Sequence, residues 1–239
     1  MTGVQRPTRR QRLRAETMAD INRAARTQLS EVGAPQLSLR GVAAELGMSP
    51  AGLYRYVDSR DALLTSLIAE CFDALADAIE QDRDAVSSDD PAKRALAAML
   101  AFRGWAQSFP REFELLYGTP IQGYQAPADG PTSVATRRVG AALLTPFVQA
   151  WRSGRLRPPT PLDAKTKRNP ALASWAAAIQ PDLPADVAAA LLSVWTRLHG
   201  LVIMETFGHL NWLGPDRTQL MTAQLRAMVT ELIGPHQRS

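Results

Sequence analysis

The sequence contains one cysteine, Cys71, in 239 residues. That excludes an intramolecular disulfide and any metal site built from a cysteine cluster. No run of about 18 apolar residues is read along the chain, so no membrane-crossing helix and no membrane partner are expected. The basic opening stretch MTGVQRPTRRQRLR has no apolar core behind it and is not a secretory signal. Together these absences favour the cytoplasm. A Gly-x-Ser-x-Gly elbow, a phosphate loop, a His-Glu-x-x-His pair and a Cys/His pair at catalytic spacing are also missing. The sequence therefore nominates no catalytic residue and no cofactor, and an enzyme is not expected.

Lysine is absent from the first 60 residues, where ten arginines face five acidic residues, a net of +5. The remaining 179 residues carry 17 basic and 18 acidic side chains, a net of −1. The basic excess of the whole chain thus lies in its first quarter, which suggests a polyanion partner there, nucleic acid first. A hydrophobic fraction of 46% is enough to bury a sizeable core.

No alternating strand pattern and no internal repeat is found, so the fold class expected is all-α. A first helix over Thr8–Val32 carries the stripe Met18, Ile21, Ala25, Leu29, Val32 and stops at Gly33. Ser38 caps a second helix, which ends at Gly47. Ser49 caps a third, Ser49–Tyr56, with Pro50 in its first turn. A fourth starts at Asp58 or Ser59 and lasts to about Asp82. Further helices are expected at about Ala92–Ser108, Arg111–Tyr117, Ser133–Ser153, Ala171–Ile179, Ala185–Leu210 and Pro215–Ile233. The Pro- and charge-rich stretch Gly154–Pro170 reads as mobile.

The stretch SLRGVAAELGMSPAGLYRYVDSR, Ser38 to Arg60, has the outline of a helix-turn-helix. In that motif the second helix enters the major groove with its N-terminal residues on base edges. Leu46, Leu53 and Val57 face inward; Pro50, Ala51, Tyr54, Arg55 and Tyr56 are left outside. Small groups at Pro50 and Ala51 permit close approach and contact with thymine methyls. Tyrosine hydroxyls and the guanidinium suit phosphates, which fix position rather than sequence.

The combination Leu39-Arg40, Val42-Ala43, Leu46-Gly47, Leu53-Tyr54-Arg55-Tyr56 and Ser59-Arg60-Asp61-Ala62-Leu63 closely resembles the N-terminal domain of TetR-type transcriptional repressors. The likeness covers about residues 10–70. It implies a helix-turn-helix domain, 8–58, followed by a helical ligand-binding and dimerisation domain, 59–236. It further implies DNA contacts by Arg40, Ser49, Pro50, Ala51, Gly52, Tyr54, Arg55, Tyr56 and Arg60, with double-stranded operator DNA as partner. Arg60 stands where the family usually has lysine and would keep a positive charge at a phosphate. Val57 replaces a common aromatic, and Gly41 a polar or acidic residue.

Farther on, WTRLHGLVIMETFGHL, Trp195 to Leu210, resembles the WHG type of C-terminal domain. The helix is apolar on more than one face, which suits a deep core or a subunit contact. The family resemblance implies a homodimer through helices 185–210 and 215–233. It also places Phe102, Trp105, Phe113, Tyr117, Phe147 and Trp151 on helices lining a ligand cavity. Few charges interrupt those faces, so a small, mostly hydrophobic inducer of unknown identity is expected, with Arg103 and Glu114 free to orient a polar end. His199, Glu205 and His209 share part of one helix but lack a fourth ligand, and no metal is expected.

Overall fold

A computed structural model of the chain describes residues 8–157, 162–214 and 216–234. Among them are eleven α-helices and no named strand, and Leu156 and Ile233 form an isolated antiparallel bridge. The helices are α1 Arg9–Val32, α2 Leu39–Glu45, α3 Pro50–Leu53, α4 Arg60–Asp84, α5 Pro91–Ser108, α6 Pro110–Tyr117, α7 Pro131–Arg152, α8 Ala164–Lys167, α9 Pro170–Ile179, α10 Ala185–Thr206 and α11 Arg217–Leu232. The fold is all-α. It divides into two compact units. One holds the described residues up to Phe72 together with Arg111–Ala135; the other holds Asp73–Pro110 and the described residues from Thr136 onward. The 58/59 boundary read from the sequence lies inside the first unit.

In the first unit Thr8 opens α1 with a capping box: its hydroxyl accepts from the Gln11 N–H, and the Gln11 side chain accepts from the Thr8 N–H. Gly33, at a φ of 77°, closes it. Ile21, Ala25 and Leu29 are buried as the stripe requires, but Val32 is 42% exposed and Met18 is half-buried. The apolar face ends one turn early because the chain leaves the core at Gly33. Asn22 ties α1 to α4 by donating to Ser66 Oγ at 3.0 Å and to the Glu70 carboxylate.

The second unit packs α5 against α10 and α11. Met99 and Phe102 of α5, Leu191, Leu198 and Val202 of α10, and Leu225 of α11 are all at most 1% exposed. Pro146 lies inside α7 and lacks the N–H that would bond the Ala142 carbonyl. Arg83 of α4 supplies the donor instead, at 3.1 Å. Contrary to the expectation from sequence, one helix is long and apolar enough to cross a membrane by length and composition: α10, with a mean hydropathy of 1.6. Nine of its residues are buried within this unit, among them Glu205, which marks it as a core helix.

Several element ends differ from the sequence reading. Regular α-helix in α3 stops at Leu53, and α10 stops at Thr206, before a turn and a short 3-10 segment, Asn211–Leu213. Part of the stretch expected to be mobile is ordered as α8, capped by Asp163. Residues 158–161 of that stretch, and Pro215 at the expected start of the last helix, lie outside the described residues.

Candidate nucleic-acid interface

The helix-turn-helix is assembled by local hydrogen bonds. Ser38 Oγ accepts from the Gly41 N–H at 3.2 Å, and the Ser38 N–H donates to Gln28 Oε1 of α1 at 2.7 Å. A Cβ on Gly41 would stand 1.9 Å from Gln28 Nε2, so the glycine leaves room for this cap on α2. After Glu45 the chain turns through Gly47, at a φ of 63°. The Met48 N–H closes that turn on the Ala43 carbonyl at 2.8 Å. Ser49 then caps α3 by accepting from the Gly52 N–H at 3.1 Å, and Pro50 occupies the first helical position. Beyond Leu53 the backbone continues in hydrogen-bonded turns, Tyr56 and Val57 both donating to the Leu53 carbonyl. The recognition segment is therefore a four-residue helix followed by a tight turn, shorter as regular helix than Ser49–Tyr56.

Leu53 and Val57 are buried, and α3 packs on α2. Pro50, Ala51, Arg55 and Ser49 are exposed, and Tyr54 is 52% exposed. Gly52 and Tyr56 are half-buried, Leu46 is half-buried rather than fully inside, and Arg40 on α2 is exposed. Arg14 of α1 reaches this edge: it donates to the Arg55 carbonyl at 3.4 Å and stands 5.4 Å over the Tyr56 ring. The sequence reading missed Arg14 and Gln28; the arginine run before residue 15 was the available signal for the first.

Arg60 is placed differently from expectation. Its Nε donates to the Leu37 carbonyl at 2.9 Å, and one terminal nitrogen donates to Ala34 at 2.8 Å and Pro35 at 3.3 Å. The half-buried guanidinium therefore staples the turn between α1 and α2 to the start of α4. Within this unit the guanidinium holds that turn.

The six aromatics expected to line one cavity belong to different units: Phe113 and Tyr117 to the first, Phe102, Trp105, Phe147 and Trp151 to the second. Phe102, Phe113 and Phe147 are fully buried, and Tyr117 and Trp151 half-buried. In the first unit Tyr117 meets Phe113 at 5.1 Å and Phe72 edge-on at 5.8 Å, and burial pushes its phenol pKa upward. A groove of about 660 Å³ in this unit is lined instead by the end of α1, Arg60, and residues of and after α6, including Glu114, Leu115 and Ile121.

The Trp195–Glu205 motif is absorbed by the core of the second unit. The His199 Nδ1–H donates to the Trp195 carbonyl at 2.7 Å, and the ring sits 4.3 Å from Trp195 and 4.8 Å from Phe102. Desolvation lowers its pKa from 6.5 to about 4. Glu205 accepts both arms of the Arg103 guanidinium at 2.6 Å, and the two side chains are 7% and 2% exposed. Arg103 thus satisfies Glu205 rather than standing ready for a ligand's polar end. Among the described residues no group of three or more His, Cys, Asp or Glu side chains could hold a metal ion.

Comparison with known proteins agrees with this architecture. Residues 21–67, which contain the two short helices and their turn, match the family model of bacterial regulatory proteins of the tetR family. Residues 95–228, more than half of the chain, match the tetracyclin repressor-like C-terminal domain. The chain belongs to the TetR family. Members are DNA-binding regulators of transcription. The likeness to the WHG type is a narrower statement than this match makes. The HTH-type transcriptional regulator Rv1816 of Mycobacterium tuberculosis (strain ATCC 25618 / H37Rv) is 44% identical over 133 residues, 56% of this chain and 57% of the relative. The match thus spans little more than half of that curated relative. The solved structure of SCO4313, a proposed regulatory protein, is 28% identical with a TM-score of 0.74, covering 92% of this chain and 98% of its own. RolR, solved in complex with resorcinol, shares the fold at 16% identity and a TM-score of 0.53, covering 94% and 91%.

Proposed function

We propose that this TetR-family protein is a sequence-specific repressor that binds a pseudo-palindromic operator as a homodimer and is released by a small, mostly hydrophobic ligand. The observation that carries the reading is the recognition segment. Buried Leu53 and Val57 fix a capped four-residue helix and the turn after it, from which Pro50, Ala51, Tyr54 and Arg55 project outward. Pro50, Ala51 and Gly52 enter the groove, Ser49, Tyr54, Arg55 and Tyr56 hold the backbone, and Arg40 reaches a base edge or phosphate from α2. The protein acts in the cytoplasm and performs no catalysis. The DNA-binding domain takes in residues 8–58, and 59–236 bind ligand and dimerise.

Dimerisation uses α10 and α11. Leu192, Met204 and Leu220 are large apolar side chains left exposed on them. Gly200 lies on the exposed side of α10 with open space where a Cβ would be, which permits close helix approach. The ligand is uncharged: among the described residues of the second unit the buried Arg103 and Glu205 neutralise each other, and His199 is neutral. Resorcinol, bound by RolR, is a ligand of that kind. The test is to select genomic fragments with purified protein and then screen neutral aromatic and aliphatic molecules for release of the best fragment. Retention of all fragments alike, or release by none of the molecules, contradicts the corresponding half of the reading.

A further inference from the structure

The N-terminal part of α1 is helix that the fold does not use. Residues 8–16 are exposed throughout, and the first buried residue of α1 is Ile21. Short helices in water owe most of their stability to packing of an apolar face, and this segment packs none. Its charges make matters worse. Arg9, Arg10, Arg12 and Arg14 fall within six residues, and the first turn of α1 has no acidic side chain. The positive end of the helix dipole lies among them. Arg10 and Arg14 are four apart and Arg9 and Arg12 three apart, spacings at which like charges repel. Among the described residues Arg9, Arg10 and Arg12 make no ion pair and no side-chain hydrogen bond; the first ion pair along α1 joins Arg23 to Asp20.

Arg14 gives this arm a direction. Its hydrogen bond to the Arg55 carbonyl and its place over the Tyr56 ring set the arm against the exposed edge of the recognition segment. At about 100° per residue, Arg10 lies about 40° from Arg14 around the helix and about 6 Å farther out. The positive stripe thus continues outward from the edge that carries Tyr54 and Arg55.

We infer that Arg10 and Arg14, on one face of α1, form a second DNA-contacting element, which grips the phosphate backbone of the duplex beside the stretch contacted by Pro50–Tyr56. This rests on the DNA-binding reading above. A duplex backbone supplies closely spaced negative charges that relieve the repulsion along the arm, and the long guanidinium side chains suit bidentate phosphate binding. The arm adds affinity and salt dependence without reading sequence.

The experiment titrates the full chain against a mixed-sequence duplex three helical turns long, by fluorescence anisotropy, between about 50 and 200 mM KCl. The variant R10Q/R14Q keeps helix propensity, so its circular dichroism should match the parent. Its log–log salt slope should be shallower by about 2, near 0.9 for each phosphate no longer neutralised. The single variant R10Q should show about half of that change, which separates weaker phosphate binding from a failure to fold, and R9Q/R12Q, on the opposite face of α1, should leave the slope unchanged. The control K165Q/R168Q, in the second unit, should leave the slope unchanged, which separates the arm from net charge. A parent that binds steeply and an R10Q/R14Q variant with the same slope would overturn the arm while leaving the DNA-binding reading intact. A parent that binds no duplex even at low salt overturns both.

Discussion

Arg60 and His199 show how one side chain's surroundings decide its role. The Arg60 guanidinium is engaged by three backbone carbonyls of the turn between α1 and α2. Arg60→Ala leaves those acceptors unsatisfied, and a loss of about 1–3 kcal/mol is expected in urea unfolding. The salt slope of DNA binding measures the phosphate contact that the family resemblance implies for Arg60: an unchanged slope in that variant leaves only the structural role, and a slope shallower by about 1 supports the contact. Tyr54→Ala should instead weaken binding to every duplex alike and leave unfolding unchanged, since Tyr54 is half exposed and packs little.

His199 is neutral in the folded protein, with a pKa depressed from 6.5 to about 4 by burial. Below pH 6.5 the unfolded chain takes up a proton that the folded chain resists. Stability is therefore full above pH 6.5 and declines as pH falls toward 4, by a total of about 3 kcal/mol. Denaturant midpoints measured from pH 7.5 to pH 4 should show this decline, and His199→Gln should flatten it. An equal decline in the variant would place the acid sensitivity elsewhere. The Arg103–Glu205 pair is the other buried polar pair of this core. Removing one partner, as in Glu205→Leu, should cost about 3–5 kcal/mol, and the double variant R103M/E205L should recover most of that.

At the scale of elements, what was legible in the sequence was whatever depends on neighbours along the chain. Ser38 and Ser49 were readable as caps, and Asp58 or Ser59 as the start of α4; the hydroxyls of Ser38, Ser49 and Ser59 each accept the N–H three residues on. Gly33 and Gly47 were readable as stops, and both have positive φ. Burial governed by packing was not readable. Val32 continues the apolar period of α1 yet is exposed at the last helical position before Gly33. Long-range partners were equally invisible: nothing near Arg60 announces Leu37, and nothing near Glu205 announces Arg103, 102 residues away. Candidate recognition residues could be nominated because they lie within one motif. The ligand aromatics could not be grouped because burial at helical spacing looks the same for core and cavity, and the structure divides them between two units.

For the whole molecule, α10 and α11 carry the proposed subunit interface. Gly200→Leu should shift the chain toward monomer in sedimentation at micromolar concentration, with helix content preserved, because the added side chain points into open space within one subunit. A variant as dimeric as the parent would move the interface elsewhere. Ligand control then follows from linkage: a ligand that releases DNA must bind the free form more tightly, and operator must weaken ligand binding by the same factor. Tryptophan quenching with and without saturating operator measures that factor, and a rise in ligand affinity with operator would reverse the sign of control.

The central claim is that the segment Pro50–Tyr56 reads sequence from a major groove. The most direct measurement compares the affinity of the parent protein for its best selected fragment with that for a shuffled duplex of equal length and composition, at one fixed salt concentration. The account predicts a preference of about 10³-fold or more for the selected fragment. It also predicts that replacing Pro50 and Ala51 by bulkier residues collapses that preference while leaving the affinity for the shuffled duplex in place. Equal affinity of the parent for both duplexes, or a preference that survives those replacements, would contradict it.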